Sequence, residues 1–123
     1  MSTTALSSKQ VFEEFAAAIS GHPKTEELID KYVNSSKFKE HILQFEAGFP
    51  GYQIDIHDLV SEGNLVALRG TFLGTHDGTF AGIPPTGKQI TAEIAAFYQI
   101  EDQKISDFWL FADTTKILNE LRG

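Results

Sequence analysis

Between two strand-like segments, residues Gly74 to Lys88 read Gly-Thr-His-Asp-Gly-Thr-Phe-Ala-Gly-Ile-Pro-Pro-Thr-Gly-Lys. Four glycines and the Pro84–Pro85 pair fall within fifteen residues. Glycine admits positive φ and close approach of neighbouring chain, and proline fixes φ and removes a donor. The stretch is predicted to be a bent strand with a bulge near Gly78, leading into a rigid turn from Ile83 to Gly87. Such punctuation between long strands points to a strongly curved sheet. A curved sheet with helices on its hollow side encloses a pocket.

The flanking periodicities supply both parts. Val11, Phe12, Phe15 and Ile19 share one face of a first helix that ends near Gly21 and Pro23. Thr25 is placed to cap a second helix, with Glu26 and Glu27 at the positive end of its dipole and Leu28, Ile29, Tyr32 and Val33 apolar. Ser35 or Ser36 caps a third, in which Phe38, Ile42 and Phe45 recur until Gly48 and Pro50 stop it. From Tyr52 the period becomes two, with Tyr52, Ile54, Ile56 and Val60 on one face and Gln53, Asp55 and His57 on the other. Ser61 to Asn64 is a hairpin signal, followed by strands from Leu65 to about His76, from Gln89 to Ile100 and from Ile105 to Ala112. Asp113 caps a last helix that turns Ile117, Leu118 and Leu121 inward. Helices followed by an antiparallel meander read as an α+β fold.

At 123 residues the chain fits one domain, with residues 1–7 expected to be disordered. Ten basic against seventeen acidic residues give a net charge of −7. That balance disfavours nucleic acid and anionic membrane as partners. With no cysteine there are no disulfides, thiolate nucleophiles or thiolate metal ligands. The start has no basic segment followed by an apolar one, and no apolar run is long enough to span a bilayer, so a soluble, cytoplasmic protein is expected. The four histidines, His22, His41, His57 and His76, show no metal-ligand spacing, and no metal is expected. Gly87-Lys88 lacks the Ser or Thr of a phosphate-cradling loop, and there is no Gly-x-Ser-x-Gly nucleophile turn.

Phe49-Pro50, the Gly74–Lys88 stretch, Lys104-Ile105 and Leu118 to Leu121 together resemble the SnoaL-like polyketide cyclases of the nuclear transport factor 2-like superfamily. The Gly-Ile-Pro-Pro-Thr-Gly segment is the most specific part, and the resemblance is looser over the first third. It implies a cone-shaped, curved antiparallel sheet folded over N-terminal helices around a deep hydrophobic cavity, often in a homodimer paired through the sheet. It also implies a cofactor-free aldol closure in which a strand aspartate serves as acid and base. That aspartate aligns with Leu110, and a cavity histidine aligns with Ala96, so both proton-moving groups are absent.

If position 110 faces the hollow, alternation puts Phe108, Leu110 and Ala112 on one strand and Ile94, Ala96 and Tyr98 on the next as ligand-binding residues. These side chains either fill a closed core or leave an apolar pocket with one phenol. Three groups are candidates for catalysis. Asp113 is a helix cap or, turned inward by a bulge, a general base. His76 is a base at the rim of the cone or a tie for the glycine-rich turn. Tyr98 is a core tyrosine or a donor to a ligand carbonyl. Asp107 and Arg69 are surface residues, or an acid and an anion anchor. The expected function is binding or transforming a small hydrophobic carbonyl or cyclic compound without a cofactor, as an isomerase, cyclase or hydratase-like lyase if it is an enzyme. The alternative is a non-catalytic ligand-binding or dimeric interaction module.

Overall fold

The computed structural model describes residues 7–123, ordered as three helices, four strands and a closing helix. Helix α1 (Ser8–Ile19) buries Val11, Phe12, Phe15 and Ile19 on one face. It begins with a capping box: Ser7 accepts from the Gln10 amide, and the Gln10 side chain accepts from the Ser7 amide. Ser7 is therefore part of the fold, because that reciprocal bonding fixes it. The rest of the segment expected to be disordered lies outside the described residues. Thr25 and Ser35 cap α2 (Glu26–Tyr32) and α3 (Ser36–Gly48), each accepting an orphan amide three residues on at 3.2 Å.

Strands β1 (Gln53–Glu62), β2 (Leu65–Thr75), β3 (Gln89–Glu101) and β4 (Lys104–Ala112) form one antiparallel sheet in the order β1-β2-β3-β4. Two-residue turns join the outer pairs, with Gly63 at φ 58° in one and Asp102 and Gln103 at φ 52° and 64° in the other. Helix α4 (Thr114–Arg122) packs back on β3, α1 lies over β1 and β2, and α2 and α3 lie against β4. The α2–α3 connection also bonds the edge of β4, where the Asn34 amide donates to the Ile105 carbonyl at 2.8 Å. The curved sheet thus has its hollow face covered by helices. Among the described residues no helix is long and apolar enough to cross a membrane.

Alternation on β3 is strict: Ile90, Ala92, Ile94, Ala96, Tyr98 and Ile100 are buried. On β1 it breaks. A bulge at His57, between the pairs Ile56–Gly70 and Asp58–Arg69, advances the strand by one residue. Beyond it Leu59 turns toward the core and Val60, expected inward, is 62% exposed. Gly70 sits opposite this bulge because a Cβ there would press on the Asp55 carbonyl oxygen.

The bulge expected near Gly78 is absent, and Gly78 answers a different need. Its amide donates to the Gly48 carbonyl at the end of α3 at 3.1 Å, and a Cβ would overlap the Ala47 carbonyl oxygen. The tight turn also lies earlier than Ile83–Gly87. Phe80 and Ile83 bond each other across Ala81 and Gly82, at φ 51° and 79°. Such a turn needs two successive positive φ angles, which Pro84 and Pro85 are unable to adopt.

Candidate functional site

A cavity of about 350 Å³ lies between the sheet and the helices. Its helix side is made by Phe12, Phe15 and Ile19 of α1 and by Phe38, His41, Ile42 and Phe45 of α3. Tyr52, Leu68, Phe72, Ile94, Tyr98, Leu110 and Ala112 form the sheet side. Phe80 of the glycine-rich loop and Ile117 of α4 also line it. Small residues keep the space open: Ala112 pairs with Ile94, and Leu110 pairs with Ala96.

Tyr98 is buried, its ring 4.5 Å from Phe12 and 5.5 Å from Phe38. Tyr52 is buried against Phe72 at 5.2 Å. Burial pushes both phenols well above their ordinary pKa, and for Tyr52 the charges of Tyr98 and Glu46 add to the effect. Neither hydroxyl has a hydrogen-bond partner among the described residues. Both tyrosines line the cavity. Each carries a neutral hydroxyl available to donate.

His41 lies in an aromatic collar, its ring 4.7 Å from Phe45, 5.2 Å from Phe108 and 6.3 Å from Phe38. Burial lowers its pKa to about 4, which keeps the imidazole neutral at ordinary pH. Lys24 also reaches the cavity wall, but its ammonium is occupied. It donates to the carbonyls of His22 at 2.8 Å and Tyr52 at 2.7 Å, stands 3.5 Å from Glu46, and lies 4.0 Å from the centre of the Tyr52 ring. Burial lowers the Lys24 pKa and Glu46 opposes that shift. This clip ties the α1–α2 loop to the entry of β1.

Of the residues read from the sequence, Ile94, Tyr98, Leu110 and Ala112 come together on the cavity wall. Ala96 and Phe108 share their phase without lining it; Ala96 is buried and Phe108 packs on Phe38 at 4.5 Å. Asp113 is elsewhere. It is exposed and accepts from the Lys116 amide at 2.9 Å as the cap of α4, so a role as base in the cavity is closed to it.

His76 is fully buried away from the lining, where it ties the loop. Its Nδ1 accepts from the Thr86 amide at 3.2 Å and meets Thr86 Oγ1 at 2.9 Å, while its backbone bonds Gly87 and Lys88. Asp107 pairs with Lys37 at 2.7 Å, and that bond, with one from the Phe108 amide, holds its carboxyl below the usual range. Arg69 pairs with the Asp58 carboxylate at 2.6 Å on the outer sheet face. Among the described residues no cluster of three or more metal-ligating side chains exists.

Sequence reasoning missed His41 and Lys24. A signal for His41 existed, since it is three residues after Phe38 and four before Phe45, on their helix face. Lys24, a lone loop lysine, gave none.

A family model for the SnoaL-like polyketide cyclases matches residues 4–121. The chain belongs to that family. No curated protein sequence matches it. Among solved structures it is similar to AclR of Streptomyces galilaeus, provisionally assigned as a hydroxylase, at 23% identity over 94% of this chain and 80% of that one, with a TM-score of 0.77. It is similar at 22% identity to TsrD of Streptomyces laurentii, over 98% of each chain, with a TM-score of 0.75. A SnoaL-like polyketide cyclase of Agrobacterium tumefaciens matches at 18% identity over 95% of this chain and 99% of its own, with a TM-score of 0.74. These likenesses establish the fold.

Proposed function

We propose that this SnoaL-like protein binds a small hydrophobic cyclic compound bearing a carbonyl in its internal cavity, and transforms it without a cofactor. The observation that carries the reading is the pair of phenols, Tyr52 and Tyr98, without a hydrogen-bond partner among the described residues, in a largely apolar space. A ligand oxygen within reach of either hydroxyl accepts a hydrogen bond from it, a net gain of about 0.5–1.5 kcal/mol for each bond. The apolar walls take up the ring carbons, and the oxygen sets the orientation. The polyketide-cyclase family to which the chain belongs supports a small-molecule ligand.

The test is calorimetric titration with β-tetralone as probe. Binding is expected, with affinity falling about tenfold in Tyr98→Phe, the equivalent of about 1.4 kcal/mol. Absence of binding, or equal affinity of the variant, rejects the reading.

A second reading, a dimeric module, draws support from the outer sheet face. Val60, Ala67, Phe97 and Trp109 pair in one row across all four strands, with exposed Phe111 beside them in edge contact with Phe97 at 6.3 Å. We place a second copy of the chain on this face. Trp109→Lys is expected to yield monomers in sedimentation, and wild-type protein that is already monomeric removes this reading.

A further inference from the structure

The ligand site leaves one titratable group of the cavity without a role. His41 reaches the lining from α3, and neither of its ring nitrogens has a hydrogen-bond partner among the described residues. The other groups that might move a proton are committed or inert. The phenols hold their protons, the Lys24 ammonium is bound by two carbonyls and Glu46, Asp113 caps α4, and Leu110 has no proton to give. Among the charged groups of α3 and its neighbours, Lys37 pairs with Asp107 of β4 and Lys24 with Glu46, and no charge contributes to the shift of the imidazole. Burial is the cause of its altered basicity.

We propose that His41 is the catalytic residue that moves the proton in this chain, acting from the helix side of the cavity on the carbon next to a ligand carbonyl. The inference rests on the carbonyl ligand proposed above. The unprotonated imidazole nitrogen takes the hydrogen of that carbon. The C–H electron pair forms a carbon–carbon double bond, and the carbonyl π pair moves to oxygen, where Tyr98 donates a hydrogen bond to the enolate. The proton then returns from His41. Delivered to the same carbon it gives exchange; delivered to a conjugated carbon it gives isomerisation. When the enolate carbon attacks a second carbonyl of the same molecule, a C–C bond closes a ring and the proton passes to the new alkoxide.

Desolvation keeps the ring in its basic form through the neutral range and makes its conjugate acid ready to give the proton back. Phe38, Phe45 and Phe108 hold its plane, as a base in reach of a carbon acid requires.

The experiment follows deuterium uptake by β-tetralone in deuterium oxide by proton NMR, with affinity measured separately by calorimetry. Wild-type protein is expected to accelerate exchange, with a rate that falls as pH drops toward about 4. His41→Gln is expected to lose about 100-fold or more of that rate while affinity changes less than about threefold. His41→Phe, which keeps the collar filled, serves as the second variant, and melting curves verify that both fold. Exchange retained in either folded variant overturns the role of His41. Wild-type protein that binds β-tetralone without exchanging it also overturns that role and leaves the ligand reading standing. Failure of wild-type protein to bind overturns both.

Discussion

The sheet side and the helix side of the cavity enclose the same space with different chemistry. β3 and β4 contribute Ile94, Leu110 and Ala112, inert surfaces interrupted by the one phenol of Tyr98. α3 and the loop before α2 contribute an imidazole without a hydrogen-bond partner among the described residues and an ammonium bonded to two carbonyls. Among the described residues the strand wall facing the hollow carries no acid or imidazole, and the imidazole that lines it comes from the opposite wall. A cavity fixes where a ligand sits while leaving open which wall carries the reactive group, and this is how one fold accommodates different reactions.

Restoring a carboxyl to the sheet side breaks the contrast most severely. Leu110→Asp places an acid among apolar neighbours, and a loss of about 3 kcal/mol is expected in urea denaturation at neutral pH. Burial raises the pKa of such a carboxyl, so the folded form holds its proton more tightly than the unfolded form. The loss should therefore shrink as pH falls toward about 5. A loss that does not depend on pH means that position 110 faces water.

The next effect belongs to the helix side. The folded pKa of His41 lies at about 4 against 6.5 for the free side chain, so the unfolded chain binds the proton more readily. Its effect on stability is absent above 6.5, grows as pH falls through that window, and levels off below about 4. Wild-type protein is expected to lose about 2–3 kcal/mol from this group across the window, and His41→Phe to lose correspondingly less. Parallel profiles place His41 in water.

Asp113→Ala gives the smallest effect: about 1 kcal/mol from the lost cap of α4, with tetralone exchange unchanged. Slower exchange in that variant would return the acid to the chemistry and weaken the distinction between the walls.

The legibility of the two sides in the sequence follows the same division. A strand alternates with period two, so once the family resemblance turns position 110 inward, Ile94, Tyr98 and Ala112 follow, together with Ala96 and Phe108, which share the phase without lining the cavity. The rule failed on β1, where the His57 bulge reversed the phase before Val60; bulges leave little trace in sequence. The capping residues Thr25 and Asp113, and Ser35 as one of two adjacent serines, were legible because their bonds are local. Gly78 was marked as special, but its partner, the end of α3, is thirty residues away in sequence, so the need it meets was not readable. His41 is polar at the margin of an apolar helix face, where composition alone suggests solvent. Only the docking of α3 against Phe108 of β4 turns it into a cavity residue.

The most direct test of the account is the carbonyl resonance of isotopically labelled β-tetralone bound to the protein. A carbonyl held by the Tyr98 hydroxyl should resonate downfield of its position in water-free solvent, and the shift should collapse in Tyr98→Phe. An unshifted resonance, or a shift that survives in the variant, contradicts a carbonyl ligand oriented by this phenol.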